Sequence, residues 1–361
     1  MKILFLVPYP INEAPSQRFR FEQYLPILLE EGHSFTLESF LTSNNLHSFY
    51  QPGKILIKII GLVRGFYGRF KILFRATRYD FIFIHREAAP FGPPVIEWVI
   101  AKILKMKIIY DFDDAIWLTD RKNESFLMQT IKWRNKVASI CKWSYKISCG
   151  NEYLCNYAKK FNNNVFHNPT TIDTLNLHNP ALYEQIIASK NNNRLIIGWT
   201  GSHSTIKYLH EIEPVLLNLE NKFSQLEFWV VADKIPQLKL KRLRFKSWSK
   251  ETEIIDLAQF DIGIMPLPDD EWAKGKCGFK ILQYMALQLP SIASPVGVNA
   301  EIIQSGTNGY LCYSLKDWEN QLIELIQNKT LRNAIGLEAR KSVVEKYSIA
   351  SNTNNFKELI K

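Results

Sequence analysis

The chain lacks the cysteine spacing of a zinc site or of a disulfide framework. Its 361 residues include five cysteines, an odd number, and no two of them lie within four residues of each other. Structural zinc sites use closely spaced cysteines, and small secreted proteins carry paired ones. The cysteine content therefore favours a reducing compartment, and we expect a cytoplasmic protein.

Long apolar runs are also missing. No segment approaches the roughly 18 consecutive apolar residues that a membrane-spanning helix requires. The opening MKILFLVPYP has too short an apolar stretch for a signal peptide and lacks a small-residue cleavage site, so it predicts a buried first strand. No repeat of solenoid period and no extended low-complexity tract is present.

Acidic residues are fewer than basic ones. The 45 Lys and Arg against 35 Asp and Glu give a net charge of +10, and 46% of the residues are hydrophobic. The length and composition predict a folded protein of two domains. The charge favours a polyanionic partner, which leaves nucleic acid, a phosphorylated substrate or an anionic membrane open.

Short apolar runs of strand type alternate with amphipathic segments of helical period. This alternation predicts an α/β protein with parallel sheets and helices on both faces. The turn-rich residues 168–194 suggest a boundary between two doubly wound, Rossmann-like domains. We expect them to face a central cleft, because such sheets bind ligands outside the carboxyl ends of their strands. The strand-type runs are Ile3–Val7, Phe35–Phe40, Phe81–His85, Lys107–Tyr110, Lys146–Cys149, Leu195–Trp199, Leu226–Val231, Phe260–Pro266 and Ser291–Ser294.

A glycine-rich, basic turn precedes an apolar helix in KGKCGFKILQYMALQLP, residues 274–290. A lysine in the first turn of a helix is disfavoured by the helix dipole, so Lys280 beside Lys274 and Lys276 indicates an anion between them. A solvated basic loop is the alternative. The second glycine turn, TGSHST, follows the strand RLIIGW, and without a full GxGxxG pattern an ordinary strand-to-helix turn explains it equally well.

Several segments together resemble retaining glycosyltransferases of family 4, which have the GT-B fold. They are PSQRFRFEQYLPILLEEGH, HREAAPFGPP, YDFDDAIW, CGNEYLCNYAKKF, IGWTGSHSTIKYL, FDIGIMPLPDDEW and KCGFKILQYMALQLPSIASPVGVNAEIIQSGTNGYL. The resemblance covers about residues 1–346. It implies an N-terminal acceptor domain at 1–188, a C-terminal nucleotide-sugar domain at 189–346 and a helix at 347–361 that returns to the first domain.

The resemblance also implies roles for residues of the second half. Lys280 would contact the donor diphosphate, with Lys276 supporting it. Gln283 stands where many members present a glutamate to the donor ribose, and Gly275 stands where they carry another, eight residues earlier. A glutamine amide can still hydrogen-bond hydroxyl groups. Trp248 could stack on the base or be a buried structural tryptophan. The remaining donor-binding candidates are Gly201, Ser202, Gly278 and Phe279.

The first half offers an acidic cluster and several basic side chains near strand ends. Asp111, Asp113 and Asp114 contain an Asp-x-Asp spacing, which the GT-A fold uses to hold a metal. Because the phosphate corner lies in the C-terminal half, we expect no metal and assign Asp113 to orienting acceptor hydroxyls; capping of the next helix explains Asp111 and Asp114 equally well. The further acceptor-side candidates are Arg18, Arg20, His85 and Glu87.

Residues 51–80 hold seven basic residues and one acid, with Phe66, Tyr67, Phe70 and Phe74 interleaved. This composition is typical of an in-plane helix on an anionic membrane. Nucleic acid also suits basic and aromatic residues, but no nucleic-acid fold signature accompanies them, and core packing explains the apolar positions as well.

Together these features predict a cytoplasmic, peripheral-membrane, metal-independent transferase without a cofactor. It would move a sugar from a UDP- or GDP-linked donor, with retention, to a glycan or lipid-linked acceptor. A degenerate nucleotide-sugar-binding or membrane-surface protein is the alternative.

Overall fold

The chain forms two compact units. The structure, a computed structural model, describes residues 1–50, 53–119, 130–190 and 194–361. The first unit comprises Met1–Thr170 together with Thr353–Lys361, and the second comprises Thr171–Asn352. Each unit contains its own six-stranded sheet. The two-domain α/β architecture expected from the strand and helix alternation is therefore confirmed.

The first sheet is parallel and has the strand order β2-β1-β3-β4-β5-β6. Its central strands β1 and β3 are apolar runs that are almost entirely buried. The order reverses between them, at the switch point of a doubly wound sheet. The strands are β1 (Lys2–Val7), β2 (Ser34–Ser39), β3 (Phe81–His85), β4 (Lys107–Phe112), β5 (Lys146–Cys149) and β6 (Val165–His167).

Helices connect these strands, and one of them, α4, is long. It runs for 19 residues from Ile55 to Leu73, within the segment predicted as an in-plane helix. Residues 51 and 52 of that segment lie outside the described residues. The helices of the first unit are α1 (Pro15–Arg18), α2 (Leu25–Glu30), α3 (Ser43–Tyr50), α4 (Ile55–Leu73), α5 (Val95–Trp98), which continues as a π-helix over Val99–Ile103, α6 (Lys136–Trp143) and α7 (Glu152–Ala158).

The second sheet is also parallel and has the order β12-β11-β10-β7-β8-β9, with its switch point between β10 and β7. Alternate residues of β7 enter different cores: Ile197 packs on one face of the sheet and Ile196 on the other. Both faces are therefore covered. The strands are β7 (Leu195–Gly201), β8 (Leu226–Ala232), β9 (Leu243–Ser247), β10 (Ile262–Met265), β11 (Ser291–Ala293) and β12 (Tyr310–Leu311).

The helices of the second unit cover both faces of this sheet. The predicted helix over 206–219 is interrupted at Ile212, because Pro214 lacks an amide hydrogen and begins a new helix. The helices are α8 (Glu184–Ala188), α9 (His203–Ile206), α10 (Glu213–Lys222), α11 (Glu253–Ala258), α12 (Glu271–Lys274), α13 (Phe279–Ala286), α14 (Asn299–Ile302), α15 (Leu315–Gln327) and α16 (Lys329–Lys346). A last helix, α17 (Ile349–Lys357), leads from the second unit into the first.

The boundary between the units lies at 170/171, whereas the sequence predicted 188/189. The segment after Thr170 pairs with the end of the second unit: Ile172 forms a parallel bridge with Ser348. Arg340 of α16 donates a hydrogen bond to the carbonyl of His178, 2.9 Å away. Residues 171–188 and 347–352 therefore belong with the second unit, and the returning segment begins at Thr353. Residues 191–193, in the predicted linker, lie outside the described residues.

Candidate functional site

The switch point of the second sheet brings a glycine turn and a lysine together. Gly201 ends β7, and a β-carbon built there would lie 2.8 Å from Cε of Lys280 and 2.6 Å from the Trp199 ring. Only glycine admits this close approach of α13. The Lys280 ammonium lies 5.5 Å from the centre of the Trp199 indole. Both predicted residues therefore meet at the carboxyl edge, where doubly wound sheets bind ligands.

Helix α13 is fixed against the same strand by a buried tyrosine. The amide of Thr200 donates to the Tyr284 hydroxyl at 2.9 Å. Burial raises the pKa of Tyr284 above its ordinary value, so this phenol is neutral over the physiological range. The first turn of α13, with Lys280, is held in one position by this contact.

Gly278 begins α13 in a conformation that favours glycine. Its φ is +67°, and a β-carbon there would meet Cδ1 of Ile302 at 2.3 Å. As the N-cap residue it offers no side chain to the first amides of the helix. Its neighbour Phe279 is partly buried. The predicted turn is thus a corner lined by backbone atoms, and its shape requires a residue without a β-carbon at position 278.

The three lysines of this corner have different surroundings. Lys274 is paired with Glu271 at 3.1 Å and with Asp269 at 3.4 Å, and its hydrogen bond to Glu271 raises its pKa. Lys276 instead lies 4.6 Å from the centre of the Trp272 ring. Two carboxylates lie beside Lys274, whereas Lys276 and Lys280 each contact the face of an indole ring, which attracts an ammonium group.

A histidine–aspartate pair at the same edge was not predicted. Asp233 follows β8, the neighbour of β7, and its carboxylate accepts hydrogen bonds from both the amide and Nδ1 of His203 at 2.5 Å. Ser202, predicted as a donor-binding residue, is exposed in the turn between β7 and His203. Since the carboxyl ends of adjacent parallel strands meet at one edge, the positions of Ser202-His203 and Asp233 after their strands could have revealed the pair.

Gln283 is buried, although the sequence assigned it to the donor ribose. Only 2% of its surface is exposed. Its amide nitrogen donates to Oε1 of Glu253 at 2.9 Å and lies 3.3 Å from Nε2 of His178. Helical spacing puts Gln283 and Lys280 on one side of α13, but at different depths. The glutamine therefore joins α13 to α11 inside the second unit.

Trp248 directly follows β9 at the carboxyl edge. Its amide donates to the carbonyl of Ala232 at 2.9 Å, and its partly buried indole packs against the core that contains Leu257. Both alternatives drawn from the sequence, a stacking surface and a structural tryptophan, are compatible with this position.

In the first unit, Arg20 and His85 are interior residues. Asp111 binds both of them: one carboxylate oxygen is 2.5 Å from Nη2 of Arg20, and the other is 2.7 Å from Nδ1 of His85. Burial alone would raise the pKa of Asp111, but Arg20 and His85 hold it well below its usual range. Ser148 also donates to Asp111, at 2.6 Å. This network joins the ends of β3, β4 and β5, so the structure gives Arg20 and His85 a structural role instead of acceptor contact.

The remaining acceptor-side candidates are closer to the surface. Asp113 accepts from Nε and Nη2 of Arg86, at 2.9 and 2.8 Å, and Arg86 outweighs burial to lower the pKa of Asp113. Glu87 is paired with Lys136 at 2.5 Å. Arg18 is partly exposed and its guanidinium lies over the Phe19 ring. Asp113, Glu87 and Arg18 therefore remain candidates for acceptor contact.

The Asp-x-Asp spacing does not form a metal-binding group in the structure. Asp111 and Asp113 face different arginines, and an arginine at a carboxylate opposes a metal ion there. Within the described ranges, no three His, Cys, Asp or Glu side chains are arranged to hold a metal ion.

Solved structures identify the fold. The chain superimposes on HepE of Anabaena in complex with UDP-glucose with a TM-score of 0.64 at 15% identity, covering 100% of this chain and 99% of that one. Sucrose-phosphate synthase from Thermosynechococcus elongatus gives 0.68 at 12% identity, covering 100% and 98%. WaaG, a glycosyltransferase involved in lipopolysaccharide biosynthesis, gives 0.64 at 13%, covering 98% of each chain. The protein has the GT-B glycosyltransferase fold.

Sequence comparison identifies the second unit more closely. Residues 194–328 match the family model Glycosyl transferases group 1. N-acetyl-alpha-D-glucosaminyl L-malate synthase of Bacillus anthracis is 36% identical over 76 residues, which is 20% of this chain and 20% of that protein's length. The expected class, a glycosyltransferase of the GT-B fold, is confirmed at the level of fold and domain.

The buried Gln283–Glu253 pair predicts a specific stability effect. Gln283→Glu places a second carboxylate beside Glu253 in place of a donor, and we expect a loss of about 1–3 kcal/mol. The double variant Gln283→Glu/Glu253→Gln exchanges the two groups and should recover most of that loss. Thermal unfolding of the wild type, both single variants and the double variant measures the coupling. Additive losses in the double variant would contradict the assigned hydrogen bond.

Proposed function

We propose that the protein is a retaining glycosyltransferase that takes its sugar from a nucleotide diphosphate donor. The observation that carries this proposal is the corner formed by Gly201, Lys280 and Gly278 at the switch point of the second sheet. It combines backbone-lined turns with positive charge, which is the combination that diphosphates require. The group 1 glycosyl transferase domain spans this corner.

The donor contacts follow from the positions of these groups. Lys280 and Lys276 bind the diphosphate, and the turns at Gly201-Ser202 and Gly278-Phe279 shape the site around it. Trp248, after β9, stacks on the base. Gln283 contributes indirectly, by holding Glu253. We propose UDP as the nucleotide in preference to GDP, because HepE, which shares the fold, was solved with UDP and with UDP-glucose.

Retention is proposed through attack on the face from which the diphosphate departs. The bond between the sugar's anomeric carbon and the diphosphate oxygen breaks, and a bond from that carbon to the acceptor oxygen forms. The acceptor proton passes to the departing phosphate, so no protein nucleophile is required. Lys280 and Lys276 stabilise the negative charge that develops on the diphosphate. Asp113, Arg18 and Glu87 of the first unit orient the acceptor.

The acceptor is proposed to be a glycan or a lipid-linked sugar in cell-surface polysaccharide or glycoconjugate synthesis. The involvement of WaaG in lipopolysaccharide biosynthesis supports this class. The basic segment 51–80 supports a peripheral position on the cytoplasmic side of a membrane. No helix among the described residues is both long enough and apolar enough to cross a bilayer.

A nucleotide-sugar-binding protein without turnover is the second candidate. The observation that favours it is Gln283, a neutral, buried group where related transferases present a carboxylate. Incubation with UDP-glucose and a set of glycan and lipid-linked acceptors distinguishes the two functions. Acceptor-stimulated release of UDP supports the transferase, and tight binding of the donor without release supports the binding protein.

The lysine corner predicts a charge-specific loss of nucleotide binding. Lys280→Met keeps the packing of the aliphatic chain on Gly201 and Trp199 but removes the ammonium group. We expect UDP to bind about 10- to 100-fold more weakly, the value of a hydrogen bond to a charged group, while uridine is little affected. Lys274→Met is the matched control, because Lys274 is already neutralised by two carboxylates. Calorimetric titration measures each affinity, and equal losses of UDP and uridine would disprove the diphosphate assignment.

His203 is predicted to contribute to the same site. Asp233 occupies its amide and Nδ1, so Nε2 is the nitrogen left to meet a ligand at the edge. We expect His203→Asn to weaken UDP binding about 2- to 10-fold, as for an ordinary hydrogen bond. His210→Asn is the control, since His210 forms a similar exposed pair with Glu213 away from the strand ends. If the His203→Asn and His210→Asn variants bind UDP with equal affinity, His203 does not contact the nucleotide.

Binding of the donor is predicted to be independent of a divalent metal. A bound metal can supply positive charge between the donor phosphates, and here the lysines supply that charge instead. UDP affinity should therefore change by less than about twofold on addition of excess chelator or of magnesium. Titration under both conditions checks this. A strict requirement for magnesium or manganese, lost in Asp113→Asn, would instead support the Asp-x-Asp alternative.

A further inference from the structure

Helix α4 turns an apolar face away from the core of the first unit. Six large side chains recur at intervals of three and four residues, which places them on one side of the helix and of the residue that follows it. Each is more than half exposed, and Phe74 is 89% exposed. We call this set the apolar stripe: Leu56, Ile60, Val63, Tyr67, Phe70 and Phe74.

The opposite face of α4 is the one that packs on the first unit, and it contains small residues. A β-carbon at Gly65 would lie 2.7 Å from the Phe40 ring, so the helix approaches this ring closely. Leu62 and Phe66 pack against the same small core. An ordinary surface helix buries its apolar side and exposes its polar side. In α4 the inner face is already filled, and the apolar stripe is left for another contact.

Arg69 anchors the inner face to the carboxyl edge of the first sheet. It is 1% exposed and donates to the carbonyl of Val7 at the end of β1, at 2.8 Å. It also donates to the carbonyls of Glu38 in β2 and Ala88 beyond β3, at 3.1 and 2.6 Å. Burial lowers the pKa of Arg69 to about 10, so the guanidinium stays charged at neutral pH. The helix is thereby fixed over the switch point of this sheet.

The charges around the apolar stripe indicate what covers it. Arg64 and Lys71 are exposed, and each follows a stripe residue, so both flank the stripe on one side. From Lys54 to Tyr79 the sequence contains no acidic residue. A second copy of this helix would bring like charges together along the contact, which is unfavourable. An anionic lipid surface offers both the apolar interior and the opposite charge.

We propose that α4 lies in the plane of an anionic membrane, with the apolar stripe in the lipid and Arg64 and Lys71 at the headgroups. Because Arg69 fixes α4 to the sheet, the carboxyl edge of the first sheet then sits about one helix diameter, ~10 Å, from the bilayer. If the protein is the transferase proposed above, on which this step rests, its acceptor is a lipid-linked molecule taken from that membrane.

Vesicle flotation with the full-length protein tests the surface. The wild type should bind vesicles of phosphatidylcholine with phosphatidylglycerol and bind phosphatidylcholine alone much more weakly. Arg64→Gln/Lys71→Gln should lose about fivefold for each charge removed. Val63→Gln/Tyr67→Gln should lose about tenfold or more, because both side chains leave the lipid. Leu29→Gln, at an exposed leucine near the end of α2, is the control and should bind as the wild type does.

Energy transfer tests the orientation. All five native cysteines are buried, so a cysteine introduced at an exposed site can be labelled selectively. Transfer to a dye on the lipid headgroup should decrease in the order Val63→Cys, Ile11→Cys, Leu29→Cys. Ile11 follows β1 at the carboxyl edge, and Leu29 precedes β2 at the opposite edge, about 20 Å away along the strands.

The outcomes separate this proposal from the transferase proposal. Failure to bind anionic vesicles, binding that Val63→Gln/Tyr67→Gln does not weaken, or a reversed order of energy transfer overturns the membrane assignment. A concentration-dependent dimer that Val63→Gln abolishes in sedimentation would show that a second copy covers the stripe. UDP affinity, measured on the same variants, should stay at the wild-type value. A wild type that binds vesicles but not UDP would instead overturn the proposed function.

Discussion

The close approach of α13 to the second sheet is the constraint on which the candidate site of the second unit depends. Gly201 and Gly263 carry no side chain where Lys280 and Tyr284 of α13 pass over the strands, and a β-carbon at either glycine would lie under 3 Å from these side chains. This clearance permits the Thr200–Tyr284 hydrogen bond and brings a lysine to the carboxyl edge. Packing and the candidate site are therefore parts of one contact, and a larger residue at Gly201 would disturb both.

The first unit uses a buried ionic network where the second uses close packing. Asp111 contacts both Arg20 and His85 inside the unit, and the buried charges of Asp111 and Arg20 pair with each other. A buried charge is tolerated only when it is paired and hydrogen-bonded. Charged side chains therefore occupy two positions at this edge. The buried network supports the strand ends from inside, and Asp113, Arg18 and Glu87 lie nearer the solvent.

Strand and helix alternation was predictable because buried parallel strands are short apolar runs. The predicted strands all exist, and the ends of most of them shift by one or two residues. The strands β6, β9 and β12 lie outside the predicted strand-type runs; β6 and β12 have only three and two residues, which carry too little periodicity to be recognised. The lysine corner was recognised from its glycines and charge. The His203–Asp233 pair was missed, because its members are 30 residues apart and meet only when β7 and β8 align.

By itself, the sequence determined the class of the fold, the position of the glycine and lysine corner and the amphipathic character of residues 51–80. These properties depend on local pattern, which the chain carries along its length. The tertiary structure decided which face each pattern presents. Gln283 is buried against Glu253, Arg20 and His85 are interior, and the apolar stripe of α4 faces outward. The periodicity of the sequence shows that a helix has an apolar and a polar face. The neighbouring elements decide which face is packed and which face is left for a ligand or a membrane.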